Sequence, residues 1–82
     1  MIKVLFFASL REQLDCDAVD VAADGLDTID DLRNSLGARG EAWQKALADE
    51  RLQVALNQQL STSDATLQDG DEVAFFPPVT GG

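Results

Sequence analysis

The stretch DAVDVAADGLDTIDDLRNSLG, residues 17–37, decides the fold, because it predicts a strand, a turn and a helix in that order. Its first part alternates polar and apolar residues, as a half-buried strand does, and Gly25 then ends the strand. Residues 28–31 (TIDD) match a capping box, in which a hydroxyl accepts a hydrogen bond from a helix N–H and an acid three residues later bonds back. We therefore predict a helix that begins after this box and stops at Gly37.

The segment before this stretch predicts another strand. Residues 2–8 (IKVLFFA) are apolar apart from Lys3 and rich in residues that favour strands. Alternation puts Phe6 on the inner face and places Phe7 with Lys3 on the outer face. Residues 9–15 are interpreted as a polar connection, so that the two strands form a hairpin.

The residues after the main helix predict a short second helix and further strands. Residues 41–48 place Trp43 and Leu47 on one side, and residues 52–57 alternate as a strand. A turn and a short strand that begins near Leu60 are predicted next, and residues 72–76 form the last strand. This order favours an α+β fold, a mixed sheet packed on one main helix with a short second helix, as in the ubiquitin-like β-grasp arrangement.

The length and charge of the chain limit the functions that it can have. The 82 residues suffice for one domain, which we predict over residues 1–78, with residues 79–82 as a flexible tail. Six Lys and Arg residues against 15 Asp and Glu residues give a net charge of −9. Because nucleic acids and anionic membranes bind clusters of Lys and Arg, neither is an expected partner, and basic partners are favoured.

The side chains that carry most catalytic chemistry are absent. The chain has no His, the commonest general base, and its single cysteine, Cys16, cannot form an internal disulfide. Asp15, Asp17 and Asp20 are spaced as in some cation loops but lack the glycine and the distal glutamate of an EF-hand, so no metal site is predicted. No apolar run approaches the roughly 18 residues of a membrane span and no signal-peptide cleavage site is visible, so a cytoplasmic location is expected.

Two outward aromatic residues need an explanation. If Phe6 and Phe75 enter the core, Phe7 and Phe76 must face away from it. They are either isolated surface residues, or covered by the short helix, or part of a docking patch with Leu60. The same alternatives apply to Arg11, which lies near Phe7 in the chain and is either an ordinary exposed residue or a contact to an acid of a partner.

The final residues carry no ionisable side chain from Val73 onward. The prolines at 77 and 78 predict a stiff stalk, and Gly81-Gly82 follows it. The diglycine is either an unremarkable chain end or a segment narrow enough to deliver its carboxylate into the active site of another protein. A carboxylate is a poor electrophile, so such use requires activation, for example as an acyl adenylate formed with ATP.

The segments VLFFASLRE (4–12), VALNQQL (54–60) and LQDGDEVAFFPPVTGG (67–82) together resemble the small subunits of molybdopterin synthase, a family of ubiquitin-like sulfur carriers. The resemblance implies that Gly82 is adenylated by a ubiquitin-activating-like enzyme that uses ATP, and is then converted to a thiocarboxylate by a sulfur donor system. The thiocarboxylate gives its sulfur to cyclic pyranopterin monophosphate in the large subunit, which builds the dithiolene of molybdopterin.

The same resemblance implies the partners and the contact residues. Two carriers and two large catalytic subunits form a heterotetramer, and this chain is no enzyme on its own and binds no cofactor. Thr80 and Gly81 belong to the inserted tail, Arg11 to the polar rim of the docking surface, and its apolar part comprises Phe7, Leu60 and Phe76. The alternatives are a sulfur carrier for thiamine synthesis, a protein modifier, or a ubiquitin-like interaction module with an inert tail.

Overall fold

The computed structural model describes residues 1–77, which form a five-stranded mixed sheet and three helices. In chain order the elements are β1 (Ile2–Phe6), α1 (Ser9–Leu14), β2 (Ala18–Val21), α2 (Ile29–Gly37), α3 (Glu41–Leu47), β3 (Gln53–Leu56), β4 (Gln59–Ser61) and β5 (Glu72–Phe76). The predicted α+β class and mixed sheet are confirmed.

The first and last strands lie side by side in the middle of the sheet. The strand order is β2-β1-β5-β3-β4, and β1 runs parallel to β5 with Val4 opposite Val73 and Phe6 opposite Phe75. The other neighbouring pairs are antiparallel. The chain therefore leaves the described part of the fold from a central strand.

All three helices pack against one face of the sheet, here called the inner face. Their buried side chains join those of the inner face in one cluster, which comprises Ile2, Val4, Phe6, Leu10, Leu14, Ile29, Leu32, Leu36, Leu47, Val54, Leu67, Val73 and Phe75. Trp43 packs its ring edge-on against Phe6, with the ring centroids 5.5 Å apart. The prediction that Trp43 and Leu47 share one side of the second predicted helix is confirmed, and that side faces the core.

The predicted capping box begins α2. The Thr28 hydroxyl accepts a hydrogen bond from the Asp31 N–H at 3.3 Å, and the Asp31 carboxylate accepts one from the Thr28 N–H at 3.2 Å. The helix also ends where it was predicted to end, but Gly37 is its last helical residue. Among residues 1–77 the glycines with positive φ are Gly25 and Gly70, so Gly37 does not supply a left-handed stop.

The interpretation of residues 9–15 as a polar connection is wrong, because Ser9–Leu14 forms α1. Leu10 and Leu14 lie four residues apart on one side of this helix and are both buried. Asp15 ends it in the left-handed conformation, with φ 52°. The sheet is thus packed on three helices where the sequence predicted two.

Candidate functional site

The outer face of the sheet carries a row of apolar residues that no helix of residues 1–77 covers. Residues paired across neighbouring strands point to the same face, so the pairing registers place one apolar residue from every strand in this row. In strand order they are Ala18, Leu5, Ala74, Ala55 and Leu60. A small domain has thus placed apolar side chains on both faces of its sheet.

Phe7 and Phe76 lie next to this row, each two residues beyond a member of it, Leu5 and Ala74, and on the same face of the sheet. Phe7 is 46% exposed and Phe76 half-buried, whereas Phe6 and Phe75 lie in the core with their rings stacked at 6.3 Å. The Phe7 N–H donates a hydrogen bond to the Phe75 carbonyl oxygen at 3.2 Å, which keeps the two strands together beyond the end of β1. The predicted outward orientation of both phenylalanines is confirmed.

A shallow depression of about 310 Å³ lies on this face. Its lining residues come from β1, β3, β5 and the β3–β4 turn, and they are Leu5, Phe7, Ala55, Gln58, Glu72, Ala74 and Phe76. We call it the outer depression. Because Phe7 and Phe76 line one depression together, they are neither isolated surface residues nor covered by the short helix.

Leu60 and Arg11 do not line the outer depression. Leu60 is 75% exposed and continues the apolar row beyond Ala55, at the edge of the sheet. Arg11 lies on α1, with its Nε atom 3.8 Å from a carboxylate oxygen of Asp17. The structure therefore brings together two of the four predicted contact residues and puts Leu60 beside them, and the rim role of Arg11 stays a prediction.

A charged row borders the apolar row on one side. Lys3 pairs in register with Asp20 on β2 and with Glu72 on β5. The strand start at Glu72 is fixed by Asn57, whose side-chain oxygen accepts from the Glu72 N–H at 3.0 Å and whose own N–H donates to the Glu72 carbonyl oxygen at 2.8 Å. These bonds hold the β3–β4 turn, including Gln58, against the end of the depression.

The chain leaves the described residues at Pro77, next to a second cleft. Arg51 lies in this cleft, and its guanidinium binds the Asp49 carboxylate through Nε at 3.2 Å and Nη2 at 3.3 Å. The side-chain hydrogen bond from Arg51 is the main cause that lowers the pKa of the Asp49 carboxyl below its ordinary value. The predicted tail residues Thr80, Gly81 and Gly82, and Pro78 before them, lie outside the described residues.

The described residues offer no cluster that could hold a metal ion, and none of their helices is long and apolar enough to cross a membrane. Cys16 is half-buried, and its thiol donates to the Ala18 carbonyl oxygen at 3.3 Å. Of the candidate side chains within residues 1–77, Phe7 and Phe76 share a concave apolar surface.

Sequence reasoning missed five residues of the outer depression. Alternation alone could have supplied Leu5, Ala74 and Glu72, which share a face with Phe7 or Phe76 on their strands. Ala55 and Gln58 reach the depression only because β3 pairs with β5 in one particular register. That register joins residues far apart in the chain, and no local pattern reveals it.

Comparisons with known proteins identify the family of this chain. The family model described as the ThiS family matches residues 4–82. The molybdopterin synthase sulfur carrier subunit of Escherichia coli (strain K12) is 55% identical over 82 residues, which is all of both chains.

Solved structures match the whole fold as well. The small archaeal modifier protein 1 of Haloferax volcanii superposes with a TM-score of 0.81 at 27% identity, over 95% of this chain and 97% of the other. A chain of the complex of subunits 1 and 2 of the molybdopterin-converting factor of Helicobacter pylori superposes with a TM-score of 0.68 at 28% identity, over 99% and 97%. The chain therefore belongs to the ThiS family, and its similarity over the full length places it with the molybdopterin synthase sulfur carrier subunits.

Proposed function

We propose that this chain carries sulfur on Gly82 and docks on the large subunit of molybdopterin synthase through the outer face of its sheet. The observation that carries the proposal is the full-length match with a sulfur carrier subunit, in which the alignment runs to the last residue of both chains. The apolar outer face supports it, since it adjoins the end of the strand that leads to Gly82.

The proposed cycle begins with activation of the carboxylate. A carboxylate oxygen of Gly82 attacks the α-phosphorus of ATP in a ubiquitin-activating-like enzyme, which forms an acyl adenylate and releases pyrophosphate. The outer sulfur of a persulfide donor then attacks the acyl carbon and displaces AMP. A thiol cleaves the sulfur–sulfur bond of the resulting acyl disulfide, which leaves the thiocarboxylate on Gly82 and the donor in a disulfide with that thiol. In these steps the side chains of this domain serve only to dock it on its partners. The sequence agrees with this, because it has no His and has only one cysteine.

The sulfur is then delivered in the large subunit. Its active site receives the tail, and the thiocarboxylate sulfur forms a bond to a carbon of cyclic pyranopterin monophosphate in place of an oxygen substituent, which gives a thioester with Gly82. Water then hydrolyses the acyl–sulfur bond, which leaves the first sulfur of the dithiolene on the pterin and returns Gly82 to the carboxylate. A product that needs two sulfur atoms consumes two thiocarboxylates, and the reactive groups other than the thiocarboxylate come from the large subunit.

Charge supports the proposed encounters. The chain has a net charge of −9, while sites for ATP and for an anionic pterin must present basic groups to their ligands. Opposite net charges raise the association rate of two proteins, and the effect weakens with salt. The tail itself has no ionisable side chain, so its terminal carboxylate meets the active site without competing charges.

Reconstitution tests the proposal. The chain is incubated with ATP, an activating enzyme and a sulfur donor, and its intact mass is measured before the large subunit and pterin substrate are added. We expect the mass gain that corresponds to replacement of one oxygen by sulfur, and then formation of molybdopterin.

A chain that lacks Gly82 is the matched variant. It should gain no sulfur and support no product, while its thermal unfolding stays unchanged because every core residue of the described chain precedes Pro77. Absence of the sulfur-bearing species from the full chain in the presence of active partners contradicts the proposal.

A second candidate function is that of a protein modifier, which the similarity to the small archaeal modifier protein 1 favours. In that function the activated Gly82 forms an amide with a lysine of another protein. The same reconstitution, extended to a cell extract, separates the two. Lysine conjugates that carry Gly82, without molybdopterin formation, indicate the modifier.

A further inference from the structure

The outer depression has an apolar end and an acidic end. Phe7 and Phe76 form the apolar end, Glu72 lies at the other, and Ala74 forms the floor between them. Along β5 the residues of one face are two positions apart, so the Cα atoms of Glu72 and Ala74 are about 6.6 Å apart. An occupant must therefore satisfy apolar contacts and a carboxylate within one side-chain length.

The carboxylate of Glu72 has no ion pair or hydrogen bond with residues 1–77, although the residue is half-buried. Its strand neighbour Lys3 lies in register beside it, yet within the described residues its ammonium is not within the 4.0 Å of an ion pair. The backbone of Glu72 is held on both sides by Asn57. The backbone of Glu72 is thus fixed by the fold, while its carboxylate has no partner among residues 1–77.

Resting on the proposed function, we propose that the outer depression receives one lysine or arginine of the large subunit. Its aliphatic stem lies on Ala74 between the strands, and its cation pairs with Glu72. Long basic side chains commonly cover apolar surface with their stems while the charged end reaches a polar group. The stem of a lysine or arginine has the length that the distance from Ala74 to Glu72 requires.

Charge favours a basic side chain in the outer depression over an apolar side chain or a second copy of this chain. A purely apolar side chain would bury the Glu72 carboxylate further without a partner, which is costly. A second copy of this chain also carries a net charge of −9, so two copies in contact would repel each other. A basic partner side chain removes both penalties and selects for the large subunit.

Titration calorimetry of the chain with the large subunit from the same organism tests the inference. The variants are Glu72→Gln and Glu72→Lys, and the control is Glu41→Gln, because Glu41 is an exposed glutamate on α3, on the helix side of the sheet. We expect Glu72→Gln to weaken binding about tenfold and Glu72→Lys to weaken it more, while Glu41→Gln stays within about twofold. The affinity of Glu72→Gln should also depend less on salt than that of the unmodified chain.

The outcomes separate this inference from the proposed function. If the unmodified chain binds and supports product formation but Glu72→Gln binds as tightly as Glu41→Gln, the inference is overturned and the proposed function stands. If the unmodified chain does not bind the large subunit, the proposed function fails. Self-association that changes with Glu72→Gln in sedimentation, at unchanged affinity for the large subunit, places a second copy in the depression and also overturns the inference. Thermal unfolding of each variant verifies that it is folded.

Discussion

Phe75 and Phe76 are neighbours in the chain with the same side chain, yet Phe75 is fully buried in the core and Phe76 lines an open depression. Phe6 and Phe7 repeat the contrast, at 2% and 46% exposure. Alternation along a strand explains why each pair splits between two faces. The helices explain why one face becomes core, since all three pack on the inner face.

The contrast between the two faces indicates that they have different roles, one in folding and the other in binding. The inner face and the helices bury the core side chains, while the outer face keeps apolar side chains partly or fully exposed. Monomeric proteins seldom keep a contiguous apolar surface without a use for it. Substitutions on the two faces should therefore differ in kind, and each prediction below tests that difference.

The largest effect is expected from a pair of adjacent substitutions. Phe75→Ala removes a ring that is 0% exposed and stacks on Phe6, and should lower the free energy of unfolding by about 3–5 kcal/mol. Phe76→Ala removes the same atoms from the outer face and should lower it by less than about 1.5 kcal/mol. Urea denaturation followed by circular dichroism measures both. Equal losses would contradict the division between the faces.

The separation of the phenylalanines between the two faces can be predicted from the sequence. The adjacent phenylalanines and the alternation of strands β1 and β5 place one ring of each pair on each face without any knowledge of tertiary structure. The capping box at residues 28–31 is equally local, and the structure confirms both of its hydrogen bonds. Patterns of a few neighbouring residues were sufficient wherever the deciding interaction is local.

The features that the sequence did not predict depend on contacts between residues far apart in the chain. A helix of six residues such as α1 offers only Leu10 and Leu14 as a periodic signal, and its stability comes from the core they enter. Gln58 occupies the predicted turn, at φ 71°, where Asn or Gly is the usual residue. Turn propensity does not place that turn at the depression, because the register of β3 against β5 does so.

The second prediction concerns affinity for the large subunit. Phe7→Ala should weaken binding about 10-fold to 100-fold, because aromatic residues in the middle of an interface contribute most of its binding energy. Leu60→Ala should weaken binding less, since Leu60 lies outside the outer depression at the sheet edge. Both dissociation constants can be obtained by titration calorimetry. A larger effect at Leu60 would move the centre of the docking surface to the β3–β4 edge.

The smallest effect tests whether the faces are independent. Thr28→Ala removes the hydroxyl that accepts from the Asp31 N–H and should lower the free energy of unfolding by about 1 kcal/mol. Thr28→Ser keeps that acceptor and is the matched control. Because α2 lies on the inner face and no residue of the capping box lines the outer depression, the affinity for the large subunit should not change for either variant at a temperature where both are folded. A loss of affinity in folded Thr28→Ala would show that the helix layer sets the shape of the outer face, since a substitution on one face would then act through the sheet on the other.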